Sequence, residues 1–193
     1  LLKKEGAEVR VIMTPDARTE DAYRKRYVGV SERLRQFVSV PGREHAVIWV
    51  SSTAVFGQHQ SGVLDESVPA EPDHWRGYCL REAEQNIEQI QAATVIRLTG
   101  LYNAQSLMRL QDPEFREQLN SKVVSNRIHR EDAVSWLNAL ACDHLQKTPV
   151  PSLVHGVDMG SAPYQEIYNF VDGLSSAIKP ATACLYWWMR SIL

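Results

Sequence analysis

Glycine is sparse where it would matter most: the 10 glycines of this 193-residue chain are scattered, and no glycine-rich turn of the kind that cradles a phosphate follows any apolar run. Cysteine is scarcer still. Cys79, Cys142 and Cys184 are odd in number, widely spaced and outside any CxxC, which points to a reducing compartment, the cytoplasm, rather than to a disulfide framework. The six histidines form no HxxxH or HExxH pair, so no metal site is expected. The formal net charge of -2 provides no basic surface for nucleic acid. Arg24, Lys25 and Arg26 lie among tyrosines in a helical pattern and read as a solvated helix face. The opening residues lack the apolar stretch of a signal peptide, and the apolar tail at 181–193, with Trp187 and Trp188, is too short to span a bilayer, so no membrane partner is expected.

What is present is ordinary globular composition, 44% hydrophobic and 23% charged, in a clear alternating order. Residues 9–13 form a short apolar run ended by Thr14-Pro15-Asp16, which predicts a buried strand. Tyr23, Tyr27, Val30, Leu34, Phe37 and Val38 recur at helical spacing until Pro41-Gly42. Residues 46–50 are wholly apolar and predict a second strand; Leu80, Ala83, Ile87 and Ile90 predict a second helix, and residues 94–98 a third strand. Strand, helix, strand, helix, strand implies a parallel sheet with right-handed crossovers. Further on, the pattern weakens. Residues 107–119 read as helical with a break near Pro113, 127–129 as a short strand, Ala133, Val134, Leu137, Leu140 and Ala141 as one helix face, 152–157 as a strand and 164–171 as a helix.

Parallel α/β sheets bind ligands outside the carboxyl ends of their strands. Three such ends are visible: Thr14-Pro15, Ser51-Ser52-Thr53 and Thr99-Gly100-Leu101-Tyr102.

The segment from Trp49 to Gly57 reads WVSSTAVFG and resembles the SSxxVYG strand-end signature of the extended short-chain dehydrogenase/reductases. Asp65-Glu66, Pro69 to Pro72, Ala83-Glu84-Gln85, Arg97-Leu98-Thr99-Gly100 and RIHREDA at 127–133 follow in family order. The resemblance covers residues 9–171 and is strongest to the atypical, YeeZ-like branch of NAD-dependent epimerase/dehydratase proteins. It implies an incomplete Rossmann-like parallel sheet with flanking helices and a small C-terminal substrate-side lobe. Residues 1–105 would be a remnant of the NAD(P)-binding domain, and 106–193 a mixed α/β region partly interleaved with the sheet.

The same resemblance implies NAD or NADP as cofactor and a small nucleotide-sugar-like or other carbonyl or alcohol substrate. Ser52 would hydrogen-bond the reacting oxygen. Thr14, Pro15, Ser51, Thr99, Gly100 and Leu101 would lie beside the dinucleotide, and Thr53, Arg76 and His129 on the substrate side. A homodimer through the helices at 18–38 and 75–90 is a further implication.

Two departures qualify this. The first strand of this chain matches the family's fourth, so the GxxGxxG turn that would anchor the pyrophosphate has no counterpart and the chain is expected to be a fragment or a truncated gene product. The family's catalytic Tyr and the Lys four residues later are replaced by Arg76 and Leu80. Tyr78 stands nearby, but its i+4 neighbour is Glu82, whose charge opposes a tyrosinate; Arg81 at i+3 would partly offset it. Tyr78 therefore reads either as the base or as an ordinary helix-face tyrosine. Ser52 reads as an active-site hydroxyl or a strand-end turn residue, and His129 as a substrate-side group or a helix opener. Thr14-Pro15 and Gly100 have turn readings as well. At the level of the whole chain, an oxidoreductase or epimerase and a noncatalytic degenerate module both stay open.

Overall fold

The computed structural model describes the backbone of residues 7–39 and 45–177, and the side chains of residues 11–39 and 45–173. The helix stop at Pro41-Gly42, Cys184 and the tail at 181–193 lie outside the described residues. The chain divides into two compact units, one built from residues 1–98 and 135–155, the other from 99–134 and 156–193.

In the first unit, strands β1 (Ala7–Val11), β2 (His45–Ser52) and β3 (Ala93–Leu98) are parallel, with Val11 beside Trp49 and Ser52 beside Leu98. Strand β6 (Leu153–Gly156) flanks β3, and Val95 N–H donates to Ser152 O at 2.8 Å. The apolar run of β2 has its physical reason here: Val47, Ile48 and Trp49 are all 0% exposed, so consecutive residues on both faces are covered. Val47 and Trp49 pack with Ala83, Ile87 and Ile90, and with Tyr27, Val30 and Leu34. Each such fully buried apolar side chain contributes about 1.5–3 kcal/mol.

Helices supply that cover. Thr19 caps α1 (Glu20–Tyr23) by accepting from Ala22 N–H at 3.3 Å, and Glu20 and Asp21 suit the positive end of the helix dipole. A π-turn at Arg24–Val28 leads into α2 (Gly29–Val38), and α3 (Trp75–Ile87) starts at His74, whose Nδ1 accepts from Arg76 N–H. Arg24 to Glu82 (2.9 Å), Arg35 to Gln89 (2.8 Å) and Asn86 to Ser31 (3.1 Å) tie these helices together.

In the second unit, strand β4 (Gly100–Tyr102) runs parallel to β5 (Val124–His129), and β7 (Ser161–Pro163) antiparallel to β5. Short helices α4 (Ala104–Met108) and α5 (Pro113–Glu117) precede β5, and α7 (Tyr164–Ala177) follows β7. Tyr102, Leu107, Leu110, Ala162, Ile167, Tyr168 and Val171 form the core. Helix α6 (Arg130–Leu145) passes from this unit into the first.

Several expectations shift. The first strand ends at Val11 rather than at residue 13, and Ile12 is 65% exposed. Phe37 does not join the helix's buried face; it stacks on His45, with ring centroids 5.7 Å apart. Val134 is exposed while Ala133, Leu137, Leu140 and Ala141 are buried. The break near Pro113 is real, because Asp112, held extended (ψ 115°) ahead of the proline, ends one helical turn and caps the next. The strand end at Gly100, Leu101 and Tyr102 is itself strand β4.

Candidate active site

Because β1, β2 and β3 are parallel, their carboxyl ends emerge along one edge of the sheet. Thr14 and Pro15 follow β1 there, and Ser51, Ser52 and Thr53 close β2. Ser52 is half-buried and its hydroxyl accepts the Ala54 N–H at 3.2 Å, which starts a one-turn 3-10 helix at Thr53–Val55. Helix α3 approaches this turn closely. A Cβ added at Gly77 would lie 2.7 Å from Ala54 O and 2.7 Å from Pro72 Cβ, so only glycine lets the helix start so near the strand tip.

Ser51 points the other way. Its hydroxyl donates to Glu84 Oε1 at 2.6 Å. Glu84, 0% exposed in α3, also accepts from Arg97 Nε (3.1 Å) and Nη2 (2.8 Å) at the end of β3, and from Arg81 Nη1 (3.2 Å). A buried carboxylate survives only with such multiple donors. Arg97 Nη1 lies 3.5 Å from His155 Nε2, and its guanidinium lies over Phe56, 5.2 Å from the ring centroid.

The loop after the turn is ordered by Gln60, whose Oε1 accepts from Gly57 N–H (3.2 Å) and Glu71 N–H (2.9 Å) and whose Nε2 donates to Pro69 O (2.8 Å). Ser67 holds the Asp65 carboxyl below its usual range by donating to it.

Tyr78 and Arg76 are exposed on α3, and Arg76 lies 5.1 Å from the Trp75 ring centroid. Leu80 is buried at 4% exposure. Glu82 receives a hydrogen bond from Arg24. Arg81 is bound to Glu84 and Glu88, so the offset to Glu82 expected from it has no free guanidinium behind it. Cys79 is buried, which pushes its thiol up.

In the second unit, Thr99 donates through both N–H and Oγ1 to Gly156 O, each at 3.1 Å. Gly100 and Leu101 are exposed and pair with Arg127 and Ile128. His129 Nδ1 accepts Glu131 N–H at 3.3 Å, opening α6, and its ring meets Tyr102 edge-on at 5.2 Å. Asp158 takes the Tyr102 hydroxyl at 2.9 Å and His129 N–H at 3.4 Å.

Glu84, Arg97 and Gly77 carry structural consequences that the sequence reading gave no role. A signal existed for the first two, since opposite charges embedded in two buried patterns, one on a helix and one on a strand, must meet. Nothing in the sequence marked Gly77. Among the described residues no group of three metal-ligating side chains occurs, and no helix is long and apolar enough to cross a membrane.

No family model matches the chain, and no curated relative matches it. Solved structures do. The dTDP-glucose 4,6-dehydratase DesIV of Streptomyces venezuelae, solved with NAD and TYD bound, superposes with a TM-score of 0.70 at 14% identity, over 89% of this chain and 58% of that one. The UDP-glucuronic acid 4-epimerase of Bacillus cereus, solved with UDP-glucuronic acid and NAD, gives 0.66 at 14% over 86% and 56%. A Methylobacillus flagellatus protein described as an NAD-dependent epimerase/dehydratase gives 0.61 at 22% over 84% and 66%. This chain thus spans less than two thirds of the length of each of them, and it shares their Rossmann-like α/β fold over that span.

Proposed function

We propose that the chain is part of an NAD(P)-dependent epimerase, dehydratase or reductase of the extended short-chain dehydrogenase/reductase group, acting on a nucleotide sugar or another small carbonyl or alcohol substrate. The observation that carries this is the parallel strand edge at which Ser52 and Thr53 emerge against the first turn of α3, within a fold shared with NAD-bound dehydratases and epimerases. In this reading residues 1–105 are the remnant of the cofactor domain and 106–193 the substrate-side region. The location is cytoplasmic, and copies pair through the helices at 18–38 and 75–90.

By the resemblance, the residues present would serve the nicotinamide side of a dinucleotide. Thr14, Pro15 and Ser51, at the strand tips of the first unit, would lie beside it, Ser51 through its backbone because its hydroxyl is held by Glu84; for the second unit the resemblance assigns that role to Thr99, Gly100 and Leu101. The glycine turn for the pyrophosphate would come from outside this sequence. When bound, the cofactor supplies hydride transfer. Ser52 orients the substrate oxygen, Tyr78 exchanges its proton, and Thr53, Arg76 and His129 contact the rest of the substrate.

The second reading, a noncatalytic module, draws on one observation: the two α3 positions where the family places its Tyr and Lys hold an exposed Arg76 and a buried Leu80. Thermal unfolding in the presence of NAD⁺, NADH, NADP⁺ and NADPH separates the two. A ligand at one hundred times its Kd stabilises the native state by about 2.7 kcal/mol. Absence of any shift at millimolar nucleotide rules out cofactor use by this chain.

A further inference from the structure

Next to the Ser51, Glu84 and Arg97 chain lies an imidazole that the proposed chemistry does not use. His155 sits in β6, with Arg97 Nη1 3.5 Å from its Nε2. A guanidinium only donates, so the ring nitrogen facing it is the acceptor. With Nε2 accepting, the neutral ring carries its proton on Nδ1. The ring stands edge-on to Phe56, centroids 5.7 Å apart, and the backbone N–H of His155 donates to Glu66 Oε1 at 2.7 Å. Phe56 directly follows the turn that Ser52 starts. One residue therefore meets the end of β3 at Arg97, the strand-tip turn through Phe56 and the loop at Glu66.

We propose that His155 is a positioning residue: its neutral Nδ1–H form accepts from Arg97 and seats Phe56 beside the Ser52–Val55 turn, and protonation of Nε2 breaks that contact. The added proton would set Nε2–H against the Nη1–H of a guanidinium that stays charged. Arg97 is held by two hydrogen bonds to a buried carboxylate, so the imidazole is the partner that moves. Four charged groups bear on the ring. Glu66, Asp65 and Glu84 favour its protonation, while Arg97 and burial oppose it, burial most strongly, and the sum disfavours the cation.

The inference deepens the proposed function, since it concerns the turn that presents Ser52, but its test uses the free protein, so a failure to bind nucleotide is a separate result. Imidazole nitrogen and carbon NMR through a pH titration identifies the tautomer and the midpoint. Nε2 is expected to resonate as an unprotonated ring nitrogen, to titrate below the ordinary histidine value of about 6.5, and to carry the amides of Thr53 and Phe56 through the same midpoint. In His155→Gln those amide shifts should be flat between pH 5 and 7, on the order of the range in which histidine titrates. An Nε2–H tautomer, a midpoint at or above the ordinary value, or Thr53 and Phe56 amides that ignore His155 would each overturn it.

Discussion

Glu84 Oε2 accepts from Arg97 Nη2 at 2.8 Å with both residues buried, at 0% and 2% exposure. Two sequence segments that look unrelated, a helix and a strand end, are joined at this bond, and Ser51 is drawn into it. Removing one partner of a buried pair costs about 3–5 kcal/mol, and because Glu84 keeps Ser51 and Arg81 as donors the cost of losing Arg97 lies at the lower end of that range. Arg97→Met is expected to lower unfolding free energy by that amount in urea denaturation, with Glu84→Gln/Arg97→Met recovering a substantial part. A loss below about 1 kcal/mol in the single variant would show that Ser51 and Arg81 satisfy Glu84 without Arg97.

Gly77→Ala opposes two effects. Alanine gains about 0.8–1 kcal/mol of helix propensity over glycine. Against it, the new methyl would sit 2.7 Å from Ala54 O and from Pro72 Cβ, and backbone cannot yield cheaply. Overpacking of this kind costs about 1–3 kcal/mol, so the variant should melt lower than wild type, with the amides of Thr53, Ala54 and Val55 shifted. A variant that melts higher would show that α3 has room at the strand tip.

The order of parallel strands and helices was legible because each carries a long periodic or continuous apolar pattern. β2 is the clearest case, with Val47 to Trp49 buried on both faces. β4 and β7 were not legible: at three residues each they are too short to show a period. Phe37 and Val134 misled for a related reason, since helical spacing tells which residues share a face but not where that face ends. At the site, the motif placed Ser51 and Ser52 at a strand tip, which residue types alone can signal. Their opposite assignments, Ser51 to Glu84 and Ser52 to the Ala54 N–H, depend on the alternation of side chains across the sheet and on which helix covers which face.

Stability should fall on mild acidification. His155 is held below its ordinary value, chiefly by burial, so the unfolded chain binds its proton first as pH drops. The contribution is complete above the unfolded value of about 6.5 and is lost from there down to the folded midpoint. A second loss begins lower, below about 3.9, as Asp172, lowered by Arg116, and Asp65, lowered by Ser67, take up protons. Urea midpoints measured from pH 7.5 to 4.5, on the order of the histidine range, should decline in wild type and flatten in His155→Gln. An unchanged slope in the variant would assign the loss to another group.

Tyr102→Phe tests the second unit by itself. It removes the hydroxyl that donates to Asp158 at 2.9 Å and leaves the ring packed beside His129. Loss of a hydrogen bond to a charged group costs about 1.5–3 kcal/mol. Hydrogen exchange should quicken at β4 and β5 while β2 and β3 keep their protection, because the two units have separate cores. Equal quickening of β2 would mean that the units open together.

Tyr78→Phe separates a structural from a chemical role most cleanly. The side chain is 51% exposed, so truncating its hydroxyl should change stability by no more than about 0.5 kcal/mol. If that hydroxyl exchanges the substrate proton, nucleotide-dependent turnover should fall by about 10²–10⁴ in the same variant, with nucleotide-induced stabilisation retained. A helix-face tyrosine predicts neither change. Turnover equal to wild type in Tyr78→Phe would remove Tyr78 from the chemistry and leave Ser52, which faces the turn rather than α3's exposed side, as the hydroxyl to test next.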